Sequence, residues 1–191
     1  MAIPGAMPRI VYIDPDAAPG GDGSGRHPFA SWSEFTLRNG DIALQRGGTV
    51  AAGFTIGPDA QSVTIGSYGT GRARIEGSIV LNGTSGVVLS NLDIAGGNVP
   101  AVHLIGGTTA SLIQGCDIHG SNVGILVVGD AVAGNVFSDN LIHDNDAMGI
   151  SFDGVGGQAM PKRWSPAIPS IAMASRAFCC TAVTSWSTEI P

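Results

Sequence analysis

An all-β solenoid of stacked parallel strands is the fold this sequence predicts, and three observations carry it. Apolar, Asn and Gly positions recur at a 24-residue period. Within each unit the apolar residues alternate with others, which is the two-residue periodicity of a strand. No segment between these runs is long enough for a crossover helix. Short strands at fixed spacing therefore stack on their own equivalents, about 4.8 Å away in the next coil. One coil cannot bury its apolar stripe alone, but a stack of coils can.

The repeat is read from three segments, "VVLSNLDIAGGNVPAVHLIGG", "SLIQGCDIHGSNVGILVVGD" and "NVFSDNLIHDNDAMGISFDG". Val88, Leu112 and Val136 fall 24 apart, as do Leu89, Ile113 and Phe137. The same spacing relates Leu92, Cys116 and Asn140, and then Ile94, Ile118 and Ile142. After a turn, Val102, Ile125 and Ile150 correspond, and so do Leu104, Val127 and Phe152. Gly106, Gly129 and Gly154 close the units, and Gly and Asn clusters supply turns that need positive φ.

Residues 1–40 read as an opening cap of strand, loop and helix. "SWSE" has the form of a capping box, with Ser31 at the N-cap and Glu34 three residues on. Phe29, Trp32 and Phe35 follow helical spacing, so a short amphipathic helix would cover the apolar end of the first coil. "NGDIALQRGGTV" (39–50) then reads as turn, strand, turn, opening the coils of residues 41–157.

This order resembles the right-handed parallel β-helix, or pectin-lyase-like, superfamily. A "YIDP" strand, a Gly/Asp loop, "PFASW" and "GD" before a strand open that fold. Units of the form Asn-x-Ile-x-x-Asn…Gly-Ile continue it, here "NLIHDN…GI". The resemblance covers residues 9 to 157. It implies a right-handed parallel β-helix with a short N-terminal capping helix. It also implies a carbohydrate-active protein similar to polysaccharide lyases, epimerases or glycoside hydrolases. Its partner would be a polysaccharide, and its location extracellular or at the cell surface. The superfamily also holds binding proteins, so a non-catalytic glycan-binding or adhesin-type module stands beside the enzyme.

Charge narrows the partners. Residues 1–157 carry fourteen acidic residues against six arginines and no lysine. No basic stripe exists to displace counterions from phosphates, which argues against nucleic acid. No apolar stretch approaches a membrane span. The start, "MAIPGAMPRI", lacks the basic and apolar regions of a signal peptide. Cys116 stands alone and Cys179 adjoins Cys180, so no disulfide framework is legible.

If Ile94, Ile118 and Ile142 point inward, then Asp93, Asp117, His119 and His143 point out. These four are the candidate catalytic residues. His119 and His143 would stack on adjacent coils, with Asp117 on the same face and Asp93 one coil below it. Stacked acids repel, so one would have a raised pKa or the two would share a cation. A carboxylate beside an imidazole can set its tautomer for proton transfer. The plainer reading is that polar residues occupy the wet side of a strand. Asp144, Asp146 and Asp153 are candidate calcium ligands, with turn formation as the plainer role. "GDGSG" (21–25) lacks the strand-loop-helix setting and lysine of a phosphate loop. Asn140 reads as an internal amide serving a turn, and Cys116 as a small buried apolar residue.

The lyases of this superfamily commonly use Arg or Lys with calcium on acidic residues, and residues 75 to 161 contain neither. The Asp-Pro-His signature of its alginate epimerases is absent too. Hydrolysis needs only two carboxyls at suitable separation, and Asp93 and Asp117 one coil apart stand too close for the inverting arrangement.

Residues 158–191 break the pattern. All 29 glycines precede residue 158, and Pro, Trp and two cysteines follow it. A terminal cap is one reading, but the tail lacks an amphipathic period. A shifted reading frame is the other. One permitted back-translation, read one base over, restores an Asn, an apolar-His pair, a second Asn, a Gly-Ile and a closing Gly in register. The tail is then non-native or disordered and the chain a truncated β-helix, expected to self-associate through its open last edge.

Overall fold

A computed structural model describes residues 8–129 and 133–154. The expectations for the tail from residue 158 onward lie outside the described residues. Among the described residues fourteen strands follow one another, and every pairing among them is parallel. β1 (Ile10–Ile13), β2 (Ile42–Arg46), β4 (Thr64–Tyr68), β6 (Val88–Ser90), β9 (Leu112–Gln114) and β12 (Val136–Ser138) stack in that order as one sheet.

The second sheet branches. β3 (Val50–Ile56) pairs along β5 (Ala73–Asn82). The first half of β5 then pairs with β7 (Leu92–Gly97), which leads to β10 (Asp117–Ser121) and β13 (Leu141–His143). Its second half pairs with β8 (Val102–Ile105), which leads to β11 (Val123–Val128) and β14 (Met148–Asp153). The bend between the halves needs glycine. Gly77 has φ +113°, and a Cβ on Gly53 would lie 2.4 Å from the Ser78 carbonyl oxygen.

Stacking inward residues on their equivalents builds the core. Leu89 lies in register with Ile113, Ile94 with Ile118, and Leu104 with Val127, all essentially solvent-free. Each such side chain contributes about 1.5–3 kcal/mol of apolar burial. Ile142, Ile150 and Phe152 of the last described coil are partly buried against this core. Among the described residues, no helix is long and apolar enough to cross a membrane.

Corners are clamped by side-chain amides. Asn135, Asn140 and Asn145 occupy successive corners of the last described coil. Each Oδ1 accepts from the backbone N–H 24 residues back: Ser111 at 2.9 Å, Cys116 at 3.0 Å and Ser121 at 3.1 Å. Each Nδ2 donates to the carbonyl 27 back: Thr108 at 3.2 Å, Ile113 at 2.8 Å and Ile118 at 3.3 Å. The Thr108 hydroxyl makes the same two links one coil earlier, to the Thr84 N–H and the Leu81 carbonyl. Buried backbone groups at a turn need such partners.

The capping helix reduces to a single 3-10 turn, Trp32–Glu34. The capping box does not form: the Ser31 side chain bonds Ser33, and the Glu34 carboxylate accepts from the Ala30 N–H. The chain is already extended again at Phe35, so a longer helix would carry it away from β2. The aromatic residues still cover the end. Trp32 stacks on Phe54 at 4.2 Å and Phe29 on Phe35 at 5.0 Å, and all four pack on the core.

Candidate functional site

Alternation along β7, β10 and β13 turns two columns of side chains outward. One column runs Val50, Arg74, Asp93, Asp117 and Leu141 from coil to coil. The other runs Ala52, Glu76, Ala95, His119 and His143. The imidazoles of His119 and His143 stack with centroids 5.2 Å apart and planes 15° from parallel.

The acids and imidazoles pair diagonally, across coils. His119 Nε2 lies 2.9 Å from Asp93 Oδ1, and His143 Nε2 lies 2.9 Å from Asp117 Oδ1. The carboxylate that sets the His119 tautomer is therefore Asp93 of the coil below, not Asp117 of its own strand. His143 also reaches Asp144 Oδ2 through Nδ1 at 2.8 Å. That bond raises the His143 pKa above its ordinary value; burial opposes the rise, and the Asp117 bond adds to it.

Two arginines complete the site, and sequence reasoning missed both. Arg72 Nη1 stands 3.5 Å from Asp117, while its Nη2 donates to the Gly115 carbonyl at 3.1 Å. Arg74 stands 3.5 Å from Asp93 and 3.3 Å from Glu76. The stretch without Arg or Lys begins at residue 75, so the sequence left this face without cations. The first half of β5 lies under β7, however, and both guanidinium groups reach up one or two coils. The stacked acids do not share one cation: each meets its own imidazole and its own guanidinium.

Asp144, Asp146 and Asp153 do not converge. Asp144 belongs to the imidazole cluster and has φ +49°, a turn conformation. The Asp146 N–H donates to the Ser121 carbonyl. Among the described residues, no three His, Cys, Asp or Glu side chains form a group that could hold a metal ion. Cys116 is buried, and burial pushes its thiol pKa up, so it is a packing residue. Within "GDGSG", Asp22 accepts from the Ser24 N–H in a local turn.

The stacked coils and their all-parallel registers define the class: this is a parallel β-helix, a β-solenoid. The family described as "Right handed beta helix region" matches residues 77–160, the part that holds most of the candidate site. No curated protein matches the chain. Among solved structures, the chain is similar to the selenomethionine derivative of the GH136 lacto-N-biosidase from Eubacterium ramulus. The TM-score is 0.52 and the identity 14%, covering 76% of this chain and 34% of that one. The native form of that protein gives a TM-score of 0.49 at the same identity and coverage. The likeness is one of fold, and this chain spans about a third of that protein's length.

Proposed function

We propose that this is a carbohydrate-active β-helix protein, and that the outward face of β7, β10 and β13 engages a polysaccharide. One observation carries the reading: two Asp–His dyads on consecutive coils, Asp93–His119 and Asp117–His143, with a guanidinium on each acid. Carboxylates, imidazoles and guanidinium groups supply the donors and acceptors that sugar hydroxyls need. Similarity in fold to a lacto-N-biosidase supports the same class. An imidazole oriented by a carboxylate suits proton transfer, so lyase, epimerase or hydrolase chemistry at this face is the leading form. An extracellular or cell-surface location goes with that partner.

A second form is binding without turnover. It is favoured by the way both acids are already held by imidazole and guanidinium rather than standing free. A panel of pectate, alginate and neutral glycans, with and without calcium, separates the two. Unsaturated products or new reducing ends, lost in Asp117→Ala and His119→Ala, establish the enzyme. Retained binding without products establishes the module. A panel that is neither bound nor cleaved overturns the saccharide reading.

A further inference from the structure

The two dyads differ in what they leave free. His143 has both ring nitrogens engaged, one by Asp117 and one by Asp144. His119 gives Nε2 to Asp93, and among the described residues no group bonds its Nδ1. A neutral imidazole donating from Nε2 keeps its lone pair on Nδ1. Of the two dyad imidazoles, His119 is therefore the one that offers an acceptor nitrogen.

The two sides of the His119 ring also differ. The ring of His143 stacks on one side. In register one coil below stands Ala95, a methyl where the next coils carry histidine and the coil before carries Glu76. At about 4.8 Å per coil, the strands carrying Glu76 and His119 stand roughly 9.6 Å apart along the axis, and Ala95 is the residue between them in this column. Asp93 and the Arg74 guanidinium border the gap. Core packing does not demand alanine there, since the side chain faces outward and is only partly buried. Either neighbour in its column is larger.

We infer that Ala95 is the specificity-determining position of this face, holding open a seat in which His119 Nδ1 accepts a hydrogen bond from a ligand hydroxyl. Glu76 and Arg74 line the same seat. His143 is a positioning residue: two carboxylates fix its ring, and its ring fixes that of His119. The inference rests on the saccharide reading for the identity of the hydroxyl, but not for the asymmetry of the dyads.

Diethyl pyrocarbonate tests that asymmetry without a ligand, because it carbethoxylates imidazole only through a free lone pair. Peptide mapping is expected to find His119 labelled and His143 spared, with the exposed His27 as internal reference. Ala95→Leu is expected to lose His119 labelling while His27 labelling and melting temperature stay unchanged; Ala95→Ser is expected to keep it. Asp144→Ala, which removes the acceptor from His143 Nδ1, is expected to make His143 reactive. Wild-type labelling of His143 as fast as His119, or unchanged His119 labelling in Ala95→Leu, overturns the inference. A glycan that binds wild type is expected to protect His119 and to fail on Ala95→Leu. If such a glycan binds both equally, this inference falls and the saccharide reading stands. If none binds wild type while the labelling pattern holds, the saccharide reading falls instead.

Discussion

The N-terminal region and the repeating coils hold one layer on the next by different chemistry. From β6 onward a single device recurs: a polar corner side chain bridges back 24 and 27 residues. Below β4 the backbone ladder is the same, but the side-chain links differ from one another. Arg9 pairs with the carboxylate of Asp41, whose side chain is only 3% exposed, and Asp41 also accepts from the Arg38 N–H. Arg46 reaches Asp14 at 3.0 Å and also pairs with Asp16. Trp32 Nε1 donates to the buried Gln45 side chain at 2.8 Å. A repeating surface needs one solution copied, whereas the layers of β1 and β2 lie outside the 24-residue repeat and are held by unique side-chain contacts.

The two regions should respond alike where they share chemistry and differ where they do not. The largest expected effect is common to both. Ile13→Ala and Ile118→Ala each remove a solvent-free side chain and are expected to cost about 2–5 kcal/mol in urea unfolding. A loss at one position much smaller than at the other would show that the ends do not share one cooperative core. Next, Arg9→Ala strands the buried Asp41 carboxylate and is expected to cost about 2 kcal/mol, less than a fully enclosed pair because Arg9 is partly exposed. Restoring neutrality with Asp41→Asn in the same chain is expected to recover part of that loss. Asn140→Ala takes a partner from the Cys116 N–H and the Ile113 carbonyl and is expected to cost about 1–2 kcal/mol. No change there would mean that the corner amides follow the fold rather than support it.

The smallest effect is pH dependence, and it has opposite signs on the two branches of the second sheet. His143 has a raised pKa, so its stabilisation is fully present below 6.5 and fades as pH rises through its folded value. His103, between Val80 and Leu126 on the other branch, has its pKa lowered by burial. It withdraws stability as pH falls from 6.5 toward its folded value. Urea midpoints are expected to lose part of their gain toward acid above pH 6.5 in His143→Asn, and to lose part of their fall toward acid below 6.5 in His103→Asn.

Legibility follows the same division. The columns Leu89–Ile113–Phe137 and Ile94–Ile118–Ile142 pair as the 24-residue period requires. The earlier coils hide because their lengths vary: Ala73 pairs with Leu92, 19 residues on, and Ile42 with Thr64, 22 on. A period search cannot find coils that differ by several residues in their turns. Arg72 and Arg74 sit in such a coil, which is why the cationic half of the site was invisible. The capping box failed for a related reason: local pattern favours a helix at Ser31, but the chain must return extended to β2.

What the sequence determined by itself was coil length, the alternation of inward and outward residues, and hence the stack of His119 under His143. These follow from strand geometry, which fixes a side chain's face from its position alone. The tertiary structure alone decided the diagonal bonds from His119 to Asp93 and from His143 to Asp117, and the reach of the two arginines. Those depend on how side chains lean between stacked coils, where bond lengths set the partner and spacing along the chain does not.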